Sequence, residues 1–199
     1  MCPSRSRALS PEILIAAYCR GLFPMADEPG TIYWYDPDPR AILPIDSVHV
    51  SRRLLRTVRS GRFTVRADTA FRDVVEGCAA PAPGREKTWI SPEIAEAYVE
   101  LHRLGFAHCV ETWLDEELAG GVYGVAVRGL FAAESMFSRT TDASKVALVH
   151  LVERLRLGGF TLLDVQFVTP HLRRFGALEI SRTRYRALLA QALGVEAVF

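Results

Sequence analysis

Apolar residues along the chain follow two periods, and the places where one period gives way to the other outline the fold. Six stretches carry the helical spacing of three and four residues. Ser10-Pro11-Glu12 opens the first with a capping hydroxyl, a first-turn proline and an acid at the positive dipole end, and Gly21 closes it. Ser51 caps a second around Leu54, Leu55 and Val58, ending near Gly61, and Thr69 opens a third with Phe71, Val74 and Val75 inward. Ser91-Pro92-Glu93 repeats the capped start ahead of Ile94, Tyr98 and Leu101, with Gly105 as its stop. Residues 143–157 read as a helix closed by Gly158. Ser181 caps the last, which carries Tyr185, Leu188, Leu189, Ala192 and Leu193 at helical spacing.

The remaining apolar runs are of strand length. Short strands are expected over residues 32–35 and 41–43, with Pro37 and Pro39 forcing a turn between them, and another over 63–66. Residues 107–114, 121–127 and 130–137 form a meander, with Arg128-Gly129 as a tight hairpin. Residues 160–167 suit a buried central strand. The loop CAAPAPGREK, residues 78–87, is marked as flexible by its prolines and charges. The expected architecture is α+β: a small N-terminal domain over residues 1–62, then a mixed-sheet domain over 63–199. The element order of the second domain is similar to that of an acyl-CoA N-acyltransferase (GNAT-like) core. Element order alone does not fix function.

A formal net charge of +1 over 199 residues excludes a global field toward nucleic acid, so any RNA contact is local. All of the basic charge except Lys87 and Lys145 is arginine. Arginine suits phosphate forks and base stacking, although a GC-rich genome produces the same bias. The arginines at 52, 53, 56, 59, 62 and 66 are a solvated helix face by default and an RNA track as the sharper alternative. Cys2, Cys19, Cys78 and Cys109 are dispersed with no CxxC pair, and the histidines show no metal spacing. A reducing, cytoplasmic location without metal or cofactor is expected. The apolar run at residues 13–19 is too short to span a membrane and is interrupted by Arg20.

The strand TLLDVQF is the most informative for chemistry. Alternation places Leu162, Asp164 and Gln166 on one face and Leu163, Val165 and Phe167 on the other. Two neighbouring polar side chains on a buried strand need partners or a task. They are either a satisfied structural pair, or Asp164 accepts from the Gln166 side-chain amide and aims its carbonyl at a substrate donor. Glu134, in AESMFS, is expected to share a face with Met136 and to enter a partly buried site. There it would bind a cationic amine or do acid–base work, or else pair with an arginine. Trp34 and Trp89 flank loops, which leaves room for stacking on a base, although tryptophan is most often core. Coenzyme A users cradle pyrophosphate in a glycine-rich turn leading into a helix. The corresponding turn, SRTTDASK, has no glycine.

The segments GLFPMA, YWYDPDPRAIL, TWISPE with AYVELHRLG, AHCVETW, GGVYG, ESMFS with ASKVAL, LLDVQF and TPHLRRFGALEISR occur in this order between about Leu14 and Tyr185. Together they resemble the leucyl/phenylalanyl-tRNA–protein transferases. The resemblance implies a GNAT-like domain without coenzyme A that moves leucine or phenylalanine, and also methionine, from aminoacyl-tRNA to an N-terminal arginine or lysine. Such transfer marks the acceptor for N-end-rule degradation. By position, Asp164 and Gln166 match the family's proposed catalytic pair, and Glu134 matches the glutamate of its ESMFS motif. Trp34 and Trp89 match aromatics associated with the 3′ adenosine. Met136 and Leu151 are expected as substrate-pocket walls. The family commonly has WW where this chain has Tyr33-Trp34-Tyr35, and often an aromatic where Leu151 stands. A monomer is expected. The rival readings are a CoA-dependent N-acetyltransferase and a non-catalytic adaptor for basic N-termini.

Overall fold

The computed structural model describes residues 9–27, 31–82 and 86–199. Cys2 and the middle of the CAAPAPGREK loop lie outside the described residues. Among the described residues there are seven α-helices, all but α6 where capping and periodicity place them: α1 (Pro11–Tyr18), α2 (Arg52–Arg59), α3 (Phe71–Ala79), α4 (Pro92–Arg103), α5 (Ala143–Leu157), α6 (Pro170–Arg173) and α7 (Arg182–Ala192). The hydroxyls of Ser10, Ser51, Ser91 and Ser181 each accept from the backbone N–H three residues on. Helix α3 lacks such a cap of its own. The carboxylate of Glu111, from a neighbouring strand, accepts from the N–H groups of Thr69 and Ala70 at 2.8 Å instead. It satisfies the helix start from a distance.

Nine strands accompany them. β1 (Phe23–Ala26) and β2 (Ile32–Tyr35) make a separate antiparallel hairpin. The other seven are β3 (Arg40–Ile42), β4 (Thr64–Ala67), β5 (Ala107–Leu114), β6 (Glu117–Val127), β7 (Leu130–Ser138), β8 (Leu162–Gln166) and β9 (Leu178–Ile180). They form one mixed sheet in the order β4-β5-β6-β7-β8-β3-β9, in which the β7–β8 pair is parallel. Two apolar layers cover it. One contains Leu14, Tyr18, Val74, Ile94, Tyr98, Tyr185 and Leu189, and the other is centred on α5 with Leu54 and Phe175.

Residues 1–62 do not stand apart from this sheet. β3 pairs with both β8 and β9, so a division at residue 62 would cut through the sheet's own hydrogen bonds. A three-residue strand that starts on an arginine gives no sequence signal of so distant a pairing. β1, α6 and β9 were likewise not expected from the sequence; β9 has only three residues and is largely exposed.

Two irregularities prepare the site. Register between β6 and β7 shifts so that Tyr123 faces Ser135 while Gly124 faces Ala133, leaving Glu134 as an extra residue without a partner on β6. This is a β-bulge, a device that re-aims a side chain. Gly124 allows the strands to close there: a Cβ on it would lie 2.2 Å from the Ala132 carbonyl oxygen. On the other edge of β7, parallel pairing with β8 runs through Leu130–Leu162, Phe131–Leu163 and Ala132–Asp164 and then stops. Beyond that point the strands separate, with Glu134 on one and Gln166 on the other.

Candidate active site

The gap where β7 and β8 part opens into a cavity of about 640 Å³. Val122, Ala133, Met136, Leu148 and Val165 give it an apolar body, and Glu134, Gln166 and Phe167 also line it. The Gln166 Nε2 donates to Glu134 Oε1 at 3.3 Å. Two polar groups from diverging strands therefore meet over an apolar hollow.

Asp164 lies behind them, fully buried and outside the cavity lining. Its carboxylate accepts from Arg40 Nε at 2.9 Å and Arg40 Nη2 at 2.6 Å, a bidentate pair, and from the Tyr185 hydroxyl at 2.8 Å. A fourth bond comes from the backbone N–H of Gln166 at 3.0 Å. The expected contact with the Gln166 side-chain amide is thus replaced by one to its main chain. The physical reason is competition: Arg40 and Tyr185 occupy the carboxylate, and Gln166 has left the strand conformation at φ +56°. An L-residue there carries roughly 1–2 kcal/mol of backbone strain. The Asp164 bond holds that backbone in place, so Asp164 positions Gln166 from outside the cavity.

Arg40 is the residue that sequence reasoning missed. It is 1% exposed, sits between the rings of Phe23 at 4.7 Å and Tyr185 at 4.5 Å, and donates to the Gly21 carbonyl at 2.9 Å. Burial alone would lower its pKa, but the bonds and charge of Asp164 raise it. The signal was available from the other end: a buried Asp164 required a cation.

Glu134 and Met136 were expected on one face, and the bulge separates them. Glu134 Oε2 accepts from the Tyr98 hydroxyl at 3.0 Å, on the side of α1 and α4, and Met136 packs on the α5 side. The Tyr18 and Tyr98 hydroxyls are 2.8 Å apart. Burial pushes the Glu134 carboxyl up to about 8, against the lowering effect of the two phenols. Among the described residues no cationic side chain bonds it.

The remaining expected residues divide. Met136 lines the cavity, whereas Leu151 is fully buried in the core and does not. Trp34 is 37% exposed on β2, and Trp89 is half-buried and accepts from the Ala26 N–H at 3.0 Å. Pairing puts Tyr35 opposite Phe23, with rings 5.9 Å apart, and Phe23 meets the cavity-lining Phe167 edge-on at 5.9 Å. The aromatic stack that reaches the cavity therefore runs through Tyr35, and Trp34 occupies the other face of the hairpin. Elsewhere, Asp68, His102 and His108 bring three possible metal-ligand atoms within 4.8 Å of one another. None of the residues described above belongs to that cluster. Among the described residues no helix is long and apolar enough to cross a membrane.

Residues 42–190 match the family model described as leucyl/phenylalanyl-tRNA protein transferase, and residues 7–38 match the model for the N-terminal domain of the same family. The chain belongs to this family. A leucyl/phenylalanyl-tRNA–protein transferase of Herpetosiphon aurantiacus is 57% identical over 98% of this chain and 100% of its own length. One of Nitrobacter winogradskyi is also 57% identical, over 98% of this chain and 87% of its own. Among solved structures, a GCN5-related N-acetyltransferase from Kribbella flavida has a TM-score of 0.46 at 11% identity, covering 86% of this chain and 61% of its own. L-PGS from Bacillus licheniformis has a TM-score of 0.46 at 12% identity, covering 93% and 71%. Those two likenesses are too loose to add to the topology described above. The two family models divide the chain near residue 40, on the threshold of β3.

Replacing Arg40 by Met should cost about 3–5 kcal/mol in urea unfolding, because it leaves Asp164 as an uncompensated buried charge. Glu134 produces a pH effect of definite sign. Its carboxyl is held near 8 in the fold and titrates near 4.5 in the unfolded chain, so between those values the fold keeps a proton that the unfolded chain loses. Stability should fall as pH rises through that window. Glu134→Gln should flatten the decline and raise Tm at pH 8 while leaving pH 4.5 nearly unchanged. Each kcal/mol recovered corresponds to about 2–4 °C at this chain length.

Proposed function

We propose that this protein transfers leucine or phenylalanine, and also methionine, from the 3′ end of aminoacyl-tRNA to an N-terminal arginine or lysine of an acceptor protein. The observation that carries the reading is the pairing of Gln166 and Glu134 across the β7–β8 gap, at the head of an apolar cavity. The donor's side chain fits between Met136, Leu148 and Val165, where discrimination is worth about 1–3 kcal/mol per methylene and several large apolar side chains are accepted. The exposed rings of Tyr35 and Phe167, linked through Phe23, stand beside the cavity and suit the terminal base.

The donor ester is already activated, so the task is to position the two ends and help one proton leave. Gln166 holds the incoming amine, Asp164 and Arg40 fix the backbone of Gln166, and Glu134 stands beside that amine at the head of the cavity. A cytoplasmic monomer acting without metal or cofactor fits this chemistry.

The CoA-dependent alternative is disfavoured at the start of α5. The first N–H groups there, which a pyrophosphate would need open, are already used: Ala143 donates to the Thr140 carbonyl at 3.1 Å and Ser144 to the Ser138 hydroxyl at 3.2 Å.

The test is label transfer from radiolabelled leucyl-tRNA to an arginine-led protein. Transfer should require the basic N-terminus and fall by about 10²-fold or more in Gln166→Ala, with that variant's unfolding curve close to wild type. Binding of the acceptor without transfer would favour an adaptor. Acetylation from acetyl-CoA would favour the other rival.

A further inference from the structure

We propose that Glu134 is the proton acceptor that converts the acceptor's α-ammonium into a nucleophilic amine. This inference rests on the transfer reaction above and names the group that makes its nucleophile. The cavity offers few alternatives. Gln166 has no basic electron pair of useful strength, and Asp164 is sealed behind it with its carboxylate bound to Arg40 and Tyr185. His171 also borders the cavity, but its Nε2 is buried without a partner among the described residues, and burial, followed by the charges of Lys145 and Arg174, disfavours its protonation.

Glu134 differs on each count. The bulge turns it out of the β6–β7 ladder so that it borders the cavity, and Gln166 Nε2 lies 3.3 Å from its Oε1. An amine held by Gln166 would therefore lie beside this carboxylate. Among the described residues, the groups around it leave it without a bound cation. Tyr18 on α1, Tyr98 on α4, Tyr123 on β6 and Tyr185 on α7 are neutral phenols, kept so by burial and by the charges near them. Asp164 on β8 and Arg40 on β3 neutralise one another. With Glu134 ionised, Tyr98 donates to it and Tyr18 donates to Tyr98, a chain of donors ending on the carboxylate. The α-amine of a peptide ordinarily titrates at about 8. A carboxyl held near the same value lets the proton cross at little cost.

The step balances. An N–H bond of the ammonium breaks and an O–H bond forms on Glu134. The freed nitrogen pair attacks the ester carbonyl carbon and the C=O π pair moves onto oxygen. Collapse restores C=O and breaks the bond to the ribose 3′-oxygen, which takes the second amine proton and leaves as the hydroxyl. Glu134 then returns its proton to water. The net change is ammonium plus ester to amide, hydroxyl and one proton.

The experiment measures kcat and peptide KM for an arginine-led peptide with saturating leucyl-tRNA. Glu134→Gln should lower kcat about 10²-fold or more with KM changed by less than about threefold, and formate should restore part of the activity of Glu134→Gly. Tyr98→Phe removes a donor that favours the ionised carboxylate, so the midpoint of the kcat–pH curve should move upward, a shift that loss of packing alone would not produce. A raised KM with kcat intact in Glu134→Gln would make Glu134 a binding group only. Absence of formate rescue together with an unmoved midpoint would equally overturn the proposal. A wild-type protein that transfers no leucine would defeat the transfer reading and this inference with it. An active wild type with indifferent variants would defeat the inference alone.

Discussion

Between β3 and β8 a guanidinium and a carboxylate meet out of reach of water, and much of the molecule is arranged so that this is tolerable. Arg40 and Asp164 carry a desolvation cost that their mutual attraction offsets only if every remaining donor and acceptor is used. Phe23 and Tyr185 cover the guanidinium faces, the Gly21 carbonyl takes a third donor, and the Tyr185 hydroxyl and Gln166 N–H fill the carboxylate. The pair binds the N-terminal segment, the central strand and the last helix to one point. It also determines where Gln166 stands.

From that point the site follows by geometry. Asp164 ends the parallel β7–β8 pairing, and its bond to the next-but-one N–H supports a left-handed residue at the strand's end. Glu134, displaced by the bulge on the facing strand, reaches Gln166 across the gap. The charged pair thus stays out of the cavity lining, and a second carboxyl, that of Glu134, borders the cavity with no cationic side chain bonded to it among the described residues. Two acids a strand apart acquire different protonation behaviour from their surroundings, one ion-paired and one pushed up by burial.

The periodic parts of this arrangement were legible in the sequence. Serine-capped helices, the meander and the alternation that puts Asp164 and Gln166 on one face of β8 all rest on local spacing, and the structure has them. What was not legible depends on partners distant in the chain. β3 has three residues, and its place in the sheet is set by pairing with β8 and β9 and by the bond from Arg40 to Asp164, more than a hundred residues on. The bulge at Glu134 changes which neighbours share its face, and nothing in ESMFS marks the shift; only the register against β6 does. Tyr18 and Tyr98 read as apolar helix-face residues, and their hydroxyls acquire meaning only when Glu134 arrives between them and Gln166. Leu151, expected as a pocket wall, is fully buried in the layer around α5 and is not among the residues that line the cavity.

The most direct measurement of where the chemistry occurs is a crystal structure with a non-hydrolysable leucyl-adenosine amide, a stand-in for the charged 3′ end whose amide nitrogen replaces the ester oxygen. The leucine side chain should lie between Met136, Leu148 and Val165, with its carbonyl carbon beside Gln166 and Glu134 and the adenine against the exposed rings of the β1–β2 hairpin. An analogue seated elsewhere, with the β7–β8 gap left empty, would contradict the assignment of this gap as the place where the two substrates meet.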